Sequence, residues 1–450
     1  MQIQLSDHFD YKRILRFTLP SVLMLVFTSI YGVVDGFFVS NFVNKTAFTA
    51  INFIWPYMMI LGAAGFMLGT GGSALISKLL GEDRVSEGAD TSDTRANKTF
   101  SMLIYVSVAV GVALALIGVF TVRPVAVLLG ATGAMLEDCV LYGIVLSISI
   151  PAFILQNEFQ GLFVTAQRPK LGLYITVGAG VTNMVFDALL VAVFPMGLLG
   201  AALATALSQC VGGILPLLYF ARKNPSLLRL VPAAPDFPAL GKICFNGSSE
   251  LLSNISMSLV GMLYNAQLMH YAGEDGVAAY GVLMYVNFIF ISAFIGYAVG
   301  ISPVVGYHYG AGNREELKSL RRKSTVIILI TSVLMFVLSE TLAYPLSYMF
   351  VGYDDALMEM TLRGFFIYSF CFLFAGLAIF ISSFFTALND GLISALQSFA
   401  RTIVFQVAGV LILPLFLHLD GIWLSVVVSE LLALLLGIIF LVIYKRKYNY

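Results

Sequence analysis

Two carboxylic acids stand out of an otherwise apolar chain. Asp187 lies near the far end of the stretch Leu171 to Val193, LGLYITVGAGVTNMVFDALLVAV, four residues after Asn183. On a helix that spacing puts amide and carboxyl on one face, one turn apart. The stretch has about the length of a bilayer-spanning helix, ~20 residues at 1.5 Å rise each. A carboxylate at such depth costs roughly 2.5–3.5 kcal/mol on insertion scales, so it marks a functional site by default. The structural alternative is an acid buried against a neighbouring cation. No Lys or Arg occurs between Lys170 and Arg222, which weakens a local version of that alternative.

Asp35, the second acid, follows Arg16 by 19 residues, ~28 Å of helix rise in the first apolar segment. Asp187 is 16 residues into the fifth segment, ~24 Å up, and Thr205 seven residues into the sixth, ~10 Å from the outer surface. In a core ~30 Å thick all of these fall in the outer part of the membrane. Asp35, Asn183, Asp187 and Thr205 are therefore expected to share one pocket. Two carboxylates in a dry pocket favour holding a proton or a monovalent cation, because like charges resist ionising together. Oxygen ligands from Asp, Asn and Thr suit a hard ion such as Na⁺. A plainer reading of Asp35 is an interfacial residue near Asn41 and Lys45.

Other polar residues are candidates too. Gln156, Asn157, Glu158 and Gln160 form a polar run in the inner half of the fourth segment, either a wall of a substrate cleft or a source of interhelical hydrogen bonds. Glu250 in the seventh segment is either a second protonation site or the partner of a loop Arg. Glu340 and Glu430 read as interfacial or structural. Pro20 removes a backbone hydrogen bond from the first helix and gives the carrier of Asp35 a place to bend. The histidines (8, 270, 308, 418) show no metal-ligand spacing and read as loop or interface residues. The four cysteines form no C-x-x-C and suggest neither a metal site nor a disulfide framework.

The elements that must position these groups are legible from composition. The chain is 59% hydrophobic and only 11% charged, with a mean hydropathy of +0.92. That places it among polytopic membrane proteins. A net charge of zero leaves no basic surface for nucleic acid. No cleavable leader is expected, since the first apolar span is too long for one. Hydropathy predicts twelve spans, near 14–40, 48–77, 99–122, 139–164, 171–193, 198–221, 241–270, 277–307, 324–350, 364–388, 391–416 and 421–444. With both termini in the cytoplasm, 22 of the 25 basic residues lie inside, Arg401 counted among them, and only Lys45, Arg123 and Arg363 outside. That is a strong positive-inside signature.

The halves resemble each other at an offset of 221: Gly143 matches Gly364, Phe153 matches Phe374, Thr165-Ala166 matches Thr386-Ala387, Gly200 matches Gly421 and Ser208 matches Ser429. Six spans per half is even, so the halves share orientation and relate by an axis along the membrane normal. The expected organisation is an N-terminal six-helix lobe (1–221), a cytoplasmic linker (222–240) and a C-terminal six-helix lobe (241–450), facing each other across a central cleft. Asn157, Asn183, Asp187 and Thr205 map onto Ala378, Val404, Ala408 and Val426. A purely structural need would apply to both halves, so the asymmetry points to a site in the first alone.

The chain resembles the multidrug and toxic compound extrusion (MATE) family. The resemblance rests on YGVVDGFFVSNFV at 31–43, FMLGTGGSALISKLLGE at 66–82, FQGLFVTAQRPKLGLYITVGAGVTNMVFDALL at 159–190, GSSELLSNISMSLVGMLYN at 247–265 and VVGYHYGAGNREEL at 304–317. It is similar to the bacterial branch whose coupling site lies in the N-terminal lobe. The resemblance implies that Asp35, Asn183, Asp187 and Thr205 are the cation or proton site, Pro20 the bending point, and Asn157, with Gln156 beside it, part of the substrate cavity. Another branch pairs a Glu on the seventh helix with an Asp on the tenth. Glu250 matches the first, but the tenth span has no Asp.

The expected activity is cation-coupled (H⁺ or Na⁺) antiport of amphipathic, often cationic compounds across a prokaryotic plasma membrane, by a functional monomer without a cofactor. The 36 Phe, 21 Tyr and 17 Met supply deformable apolar surface for unrelated substrates. An alternative is a flippase for a lipid-linked saccharide, which requires a cationic cleft for pyrophosphate. A more remote one is a membrane enzyme with metal ligands at Glu82-Asp83 or Asp354-Asp355, where no His or Cys supports them.

Overall fold

The computed structural model describes residues 3–43, 45–87, 95–352, 354–448 and 450. The side chains of Asn41, Lys45 and Arg84 lie outside the described ones. The chain is 89% helical, and the described residues contain no strand.

Twelve helices cross the slab in alternation. They are α1 (Tyr11–Phe42), α2 (Lys45–Glu87), α3 (Arg95–Leu128), α4 (Gly133–Thr165), α5 (Pro169–Asp187, continued by a π-helical turn at Ala188–Val193) and α6 (Gly197–Ala221) in the first half. One continuous run, Phe237–Gly310, folds back at Gly273 (φ 63°, ψ −151°) to give α7 (237–272) and α8 (274–310). A residue with a Cβ rarely adopts such a backbone, so glycine makes this reversal. Then come α9 (Arg314–Val351), α10 (Asp355–Tyr368 and Cys371–Ala387, bent by 46°), α11 (Gly391–Phe399, a π-helical turn Ala400–Phe405, then Gln406–Ile412) and α12 (Pro414–Tyr448, broken at His418). Eleven of these are apolar enough to span a membrane once the bent pair is taken as one. The remaining one, α7, falls short because its serines, asparagines and Glu250 interrupt the apolar run.

Side-chain caps fix where α1, α7, α9 and α11 start on the face that holds both chain ends. Asp10, Asp236, Asn313 and Asp390 accept from the backbone N–H groups of Arg13, Ala239, Glu316 and Ile393, satisfying donors that a helix start leaves unpaired. Between α6 and α7, residues 222–236 are irregular and lie along α3: Arg229 N–H donates to Asn97 Oδ1 (3.0 Å) and Val231 N–H to Ser101 Oγ (2.8 Å).

The duplication seen in the sequence is present in the packing. A Cβ on Gly200 would meet Leu190 O at 2.7 Å, and one on Gly421 would meet Leu413 O at 2.5 Å. Each lobe thus closes its fifth and sixth helices on a glycine at the equivalent position.

The lobes meet along α2 and α1. A Cβ on Gly71 would lie 2.0 Å from Ile243 O, and one on Gly247 would lie 1.9 Å from Met67 O, so α2 and α7 cross backbone to backbone. Without a hydrophobic force between helices in lipid, such small-residue contact is what van der Waals association requires. Gly310 similarly abuts Lys78 O, while Gly300 and Gly296 of α8 abut Thr18 and Val22 of α1. Asn389 Nδ2 donates to Ala74 O at 3.2 Å. These contacts all sit in the half of the molecule that carries the chain ends. There residues 3–10 close the seam: Leu5 and Phe9 are fully buried, Glu316 accepts from Phe9 N–H (2.9 Å) and pairs with His8 (2.7 Å), and Lys323 Nζ donates to Phe9 O (2.6 Å). Tyr448 and Tyr450 join the same apolar cluster from the other end of the chain.

Candidate functional site

Register between helices assembles the site. Gly180 of α5 takes the rings of Phe27 and Tyr31 against its Cα, where a Cβ would lie 2.5 and 2.9 Å from them. One turn beyond Tyr31 along α1 is Asp35; one and two turns beyond Gly180 along the parallel α5 are Asn183 and Asp187. From the antiparallel α6, Ser208 Oγ donates to Ala179 O at 2.8 Å. That bond puts Thr205, one turn back along α6, level with Asn183.

The result is one buried constellation. Asp187, Asn183 and Thr205 converge on the Asp35 carboxyl, and the Tyr142 hydroxyl of α4 stands beside Thr205, within reach of both acids. Asp187 and Tyr142 are fully buried, and Asn183 is 1% exposed. Asp35 Oδ1, both Asp187 carboxylate oxygens, Asn183 Oδ1, Thr205 Oγ1 and Tyr142 Oη have no hydrogen-bond partner. Buried polar atoms in proteins are almost always paired. Six oxygens from four helices left unpaired at one point are a set that suits a proton or a hard monovalent cation. Among the described residues no Lys or Arg is in contact with the two acids. No group of three or more His, Cys, Asp or Glu among the described residues has the arrangement of a metal site.

The four residues expected to meet from the sequence do meet, in the half of the slab away from the chain ends. Tyr142 was not among them: an aromatic in an apolar run gives no signal of its own, and its repeat partner, Arg363, lies on the surface in a pair with Asp420. Right after Asp187 the helix widens to its π-helical turn, a feature concentrated at functional sites.

Gln156 and Asn157 separate in the structure. Gln156 is buried and contacts Tyr31. With Met24, Gln160, Thr176 and Gly212 it lines a small pocket among α1, α4, α5 and α6. Asn157 is half-buried and donates to Phe153 O of its own helix at 2.9 Å. Glu158, between α2 and α3, has both carboxylate oxygens buried and unpaired. Pro20 lies in α1 between the two seam contacts at Thr18 and Val22.

The second lobe departs from expectation at one point. Arg401, counted on the cytoplasmic side by the charge tally, sits ten residues into α11, ~15 Å along it. Its Nε donates to Glu430 Oε1 and Oε2 at 3.1 and 2.8 Å. The charge tally assigns a cation to a side of the membrane and is blind to a partner 29 residues on. Glu250 faces this pair, and Arg401 is its cationic neighbour, not a loop Arg. Glu430 is structural, and Glu340 accepts from the Ser369 hydroxyl. His308, read as a loop or interface residue, is 2% exposed with both ring nitrogens unpaired.

Twelve spanning helices in two lobes, with a polar site inside one of them, define a polytopic membrane protein of the transporter type. The MatE family model matches residues 20–189 and again 251–412, once per half, and the chain belongs to that family. Among curated proteins it is 24% identical over 424 residues to the "Multidrug export protein MepA" of Staphylococcus saprophyticus, covering 92% of this chain and 88% of that one. Among solved structures it is similar to the "Crystal structure of MATE in complex with MaL6" (TM-score 0.91, 21% identity, 98% of both chains). It is also similar to the "Outward-facing conformation of a multidrug resistance MATE family transporter of the MOP superfamily" (TM-score 0.88, 21% identity, 100% and 98%).

Proposed function

We propose that the protein is a cation-coupled antiporter that exports amphipathic, often cationic compounds from a prokaryotic cell, with Asp35, Asn183, Asp187 and Thr205 as the coupling site. The observation that carries this is the convergence of two acids and their unpaired oxygen neighbours, with no countercharge beside them among the described residues. The similarity to a multidrug export protein supports the substrate class. Both termini face the cytoplasm in this reading, since the loop cations still lie overwhelmingly on that side with Arg401 removed from the count. The seam then closes the cytoplasmic side, and the site lies in the half facing out. No catalytic residues are assigned.

H⁺ or Na⁺ entering from outside and drug entering from inside favour different conformers, and each shifts the balance only by its differential affinity. Moving one charge through 100 mV supplies ~2.3 kcal/mol, roughly a 50-fold gradient. Gln156 and Asn157 border the substrate cavity, Glu250 offers a second titratable group, and Pro20 is where α1 bends. The flippase alternative loses ground, because the Arg that does enter a lobe is bound to Glu430 and supplies no free positive charge for pyrophosphate.

Reconstituted vesicles test the proposal. Drug efflux should follow an imposed proton or sodium gradient, and Asp35→Asn and Asp187→Asn should each abolish it while the protein still inserts. Wild-type efflux from both variants refutes the assignment.

A further inference from the structure

Glu158 is, with Asp187, one of two fully buried acids in the first lobe among the described residues. Neither of its carboxylate oxygens has a partner. It lies 16 residues beyond Tyr142 on α4, ~24 Å of rise, so it is separate from the Asp35 constellation. No charged or titratable side chain faces it from α2, α3, α6 or the rest of α4 among the described residues. The polar group beside it is the Ser107 hydroxyl of α3, which is also without a hydrogen-bond partner. One carboxyl and one hydroxyl are far too few oxygens for a metal cation. They suffice for a proton, and an isolated buried carboxylate sheds its charge by taking one up.

Above Glu158 runs α2. A Cβ on Gly69 would lie 2.8 Å from Glu158 Cα, so the α2 backbone shuts water out from that side. Two residues on, Gly71 presents the opposite side of α2 to Ile243 and Gly247 of the second lobe. The helix that seals Glu158 is therefore also the helix that seals the lobes together. A conformer in which α2 leaves α7 uncovers the far side of the helix that lids this acid.

We propose that Glu158 is a second proton-binding site, loaded while α2 and α7 are joined and emptied when they part. That the proton travels with transport rests on the antiport reading; that it is held here does not.

Infrared spectroscopy of the purified full-length protein at neutral pH reads the protonated-carboxyl C=O band. A component of that band should disappear in Glu158→Gln and persist in Asp35→Asn/Asp187→Asn. If Glu158→Gln does not fold, Ser107→Ala should shift the same component in an otherwise unaltered site. A band unchanged in these variants overturns the proposal, because the acid is then ionised. In vesicles, protons moved per drug exported should fall by one in Glu158→Gln. An unchanged ratio, or a wild type that moves no protons, overturns the exchange step. Failure of the antiport reading is distinguishable, since it removes gradient-driven efflux but leaves the infrared component in place.

Discussion

Gly180 and Tyr31 set the register of the proposed coupling site. The ring of Tyr31 lies where a side chain on Gly180 would have to be, with Phe27 beside it. Everything farther along both helices inherits that register, including the approach of Asp35 to Asn183 and Asp187. A change at this contact, which removes no charged group, should therefore act on coupling.

Gly180→Val should cost ~1–3 kcal/mol from forced overpacking and uncouple the transporter while the acids remain. Thermal unfolding in detergent measures the first effect. The second appears as loss of gradient-driven efflux. Full coupling in a stable Gly180→Val protein would show that α1 and α5 do not need this contact.

Asp35 and Asp187 should behave as one unit. Residues that act together are grossly non-additive. Asp35→Asn and Asp187→Asn should each reduce coupled efflux to background, and the double variant should be no worse than either. Two partial, multiplying losses would instead place the acids at independent sites.

What the sequence showed and concealed divides along physical lines. Asp35, Asn183, Asp187 and Thr205 were legible because a polar atom deep in an apolar helix is costly, and helix rise alone placed all of them at one depth. The twelve spans were legible for the same reason. The spectral purity of that signal also set its limits. Hydropathy puts Arg401 inside the span 391–416 but cannot see its partner Glu430 across the lobe, and it says nothing of Tyr142, whose role depends on which way one ring faces. Gly71 and Gly180 are two among 40 glycines, and only coordinates show which ones carry a helix crossing.

Arg401 and Glu430 supply a stability test in the second lobe. The side chains are 18% and 4% exposed. Removing one partner of such a pair leaves an uncompensated charge and costs ~3–5 kcal/mol, whereas replacing both with apolar residues of similar volume is often neutral or better. Arg401→Met should thus lower the melting temperature strongly, and Arg401→Met/Glu430→Leu should recover most of the loss. The comparison is made by thermal unfolding in one detergent. A double variant as unstable as the single would mean that Arg401 is needed by Glu250 as well.

The N-terminal tail should act as a latch on the face where the lobes meet. Phe9 is fully buried, packs edge-on against Phe17 at 5.8 Å between ring centroids, and is tied by its backbone to Glu316 and Lys323 of α9. Residues 3–10 thereby join the first lobe's leading helix to the second lobe. Glu316→Ala removes two of these ties, the Phe9 N–H bond and the His8 pair. Each hydrogen bond to a charged group contributes ~1.5–3 kcal/mol, enough to raise the open population by tenfold or more. A cysteine placed at Val304, which is fully buried in the same cluster, should then react with a thiol reagent at least tenfold faster in Glu316→Ala than in its parent. The native cysteines (139, 210, 244, 371) are replaced first, so that the label reports this position alone. Equal rates would show that the glycine crossings of α2 hold the face shut without the tail.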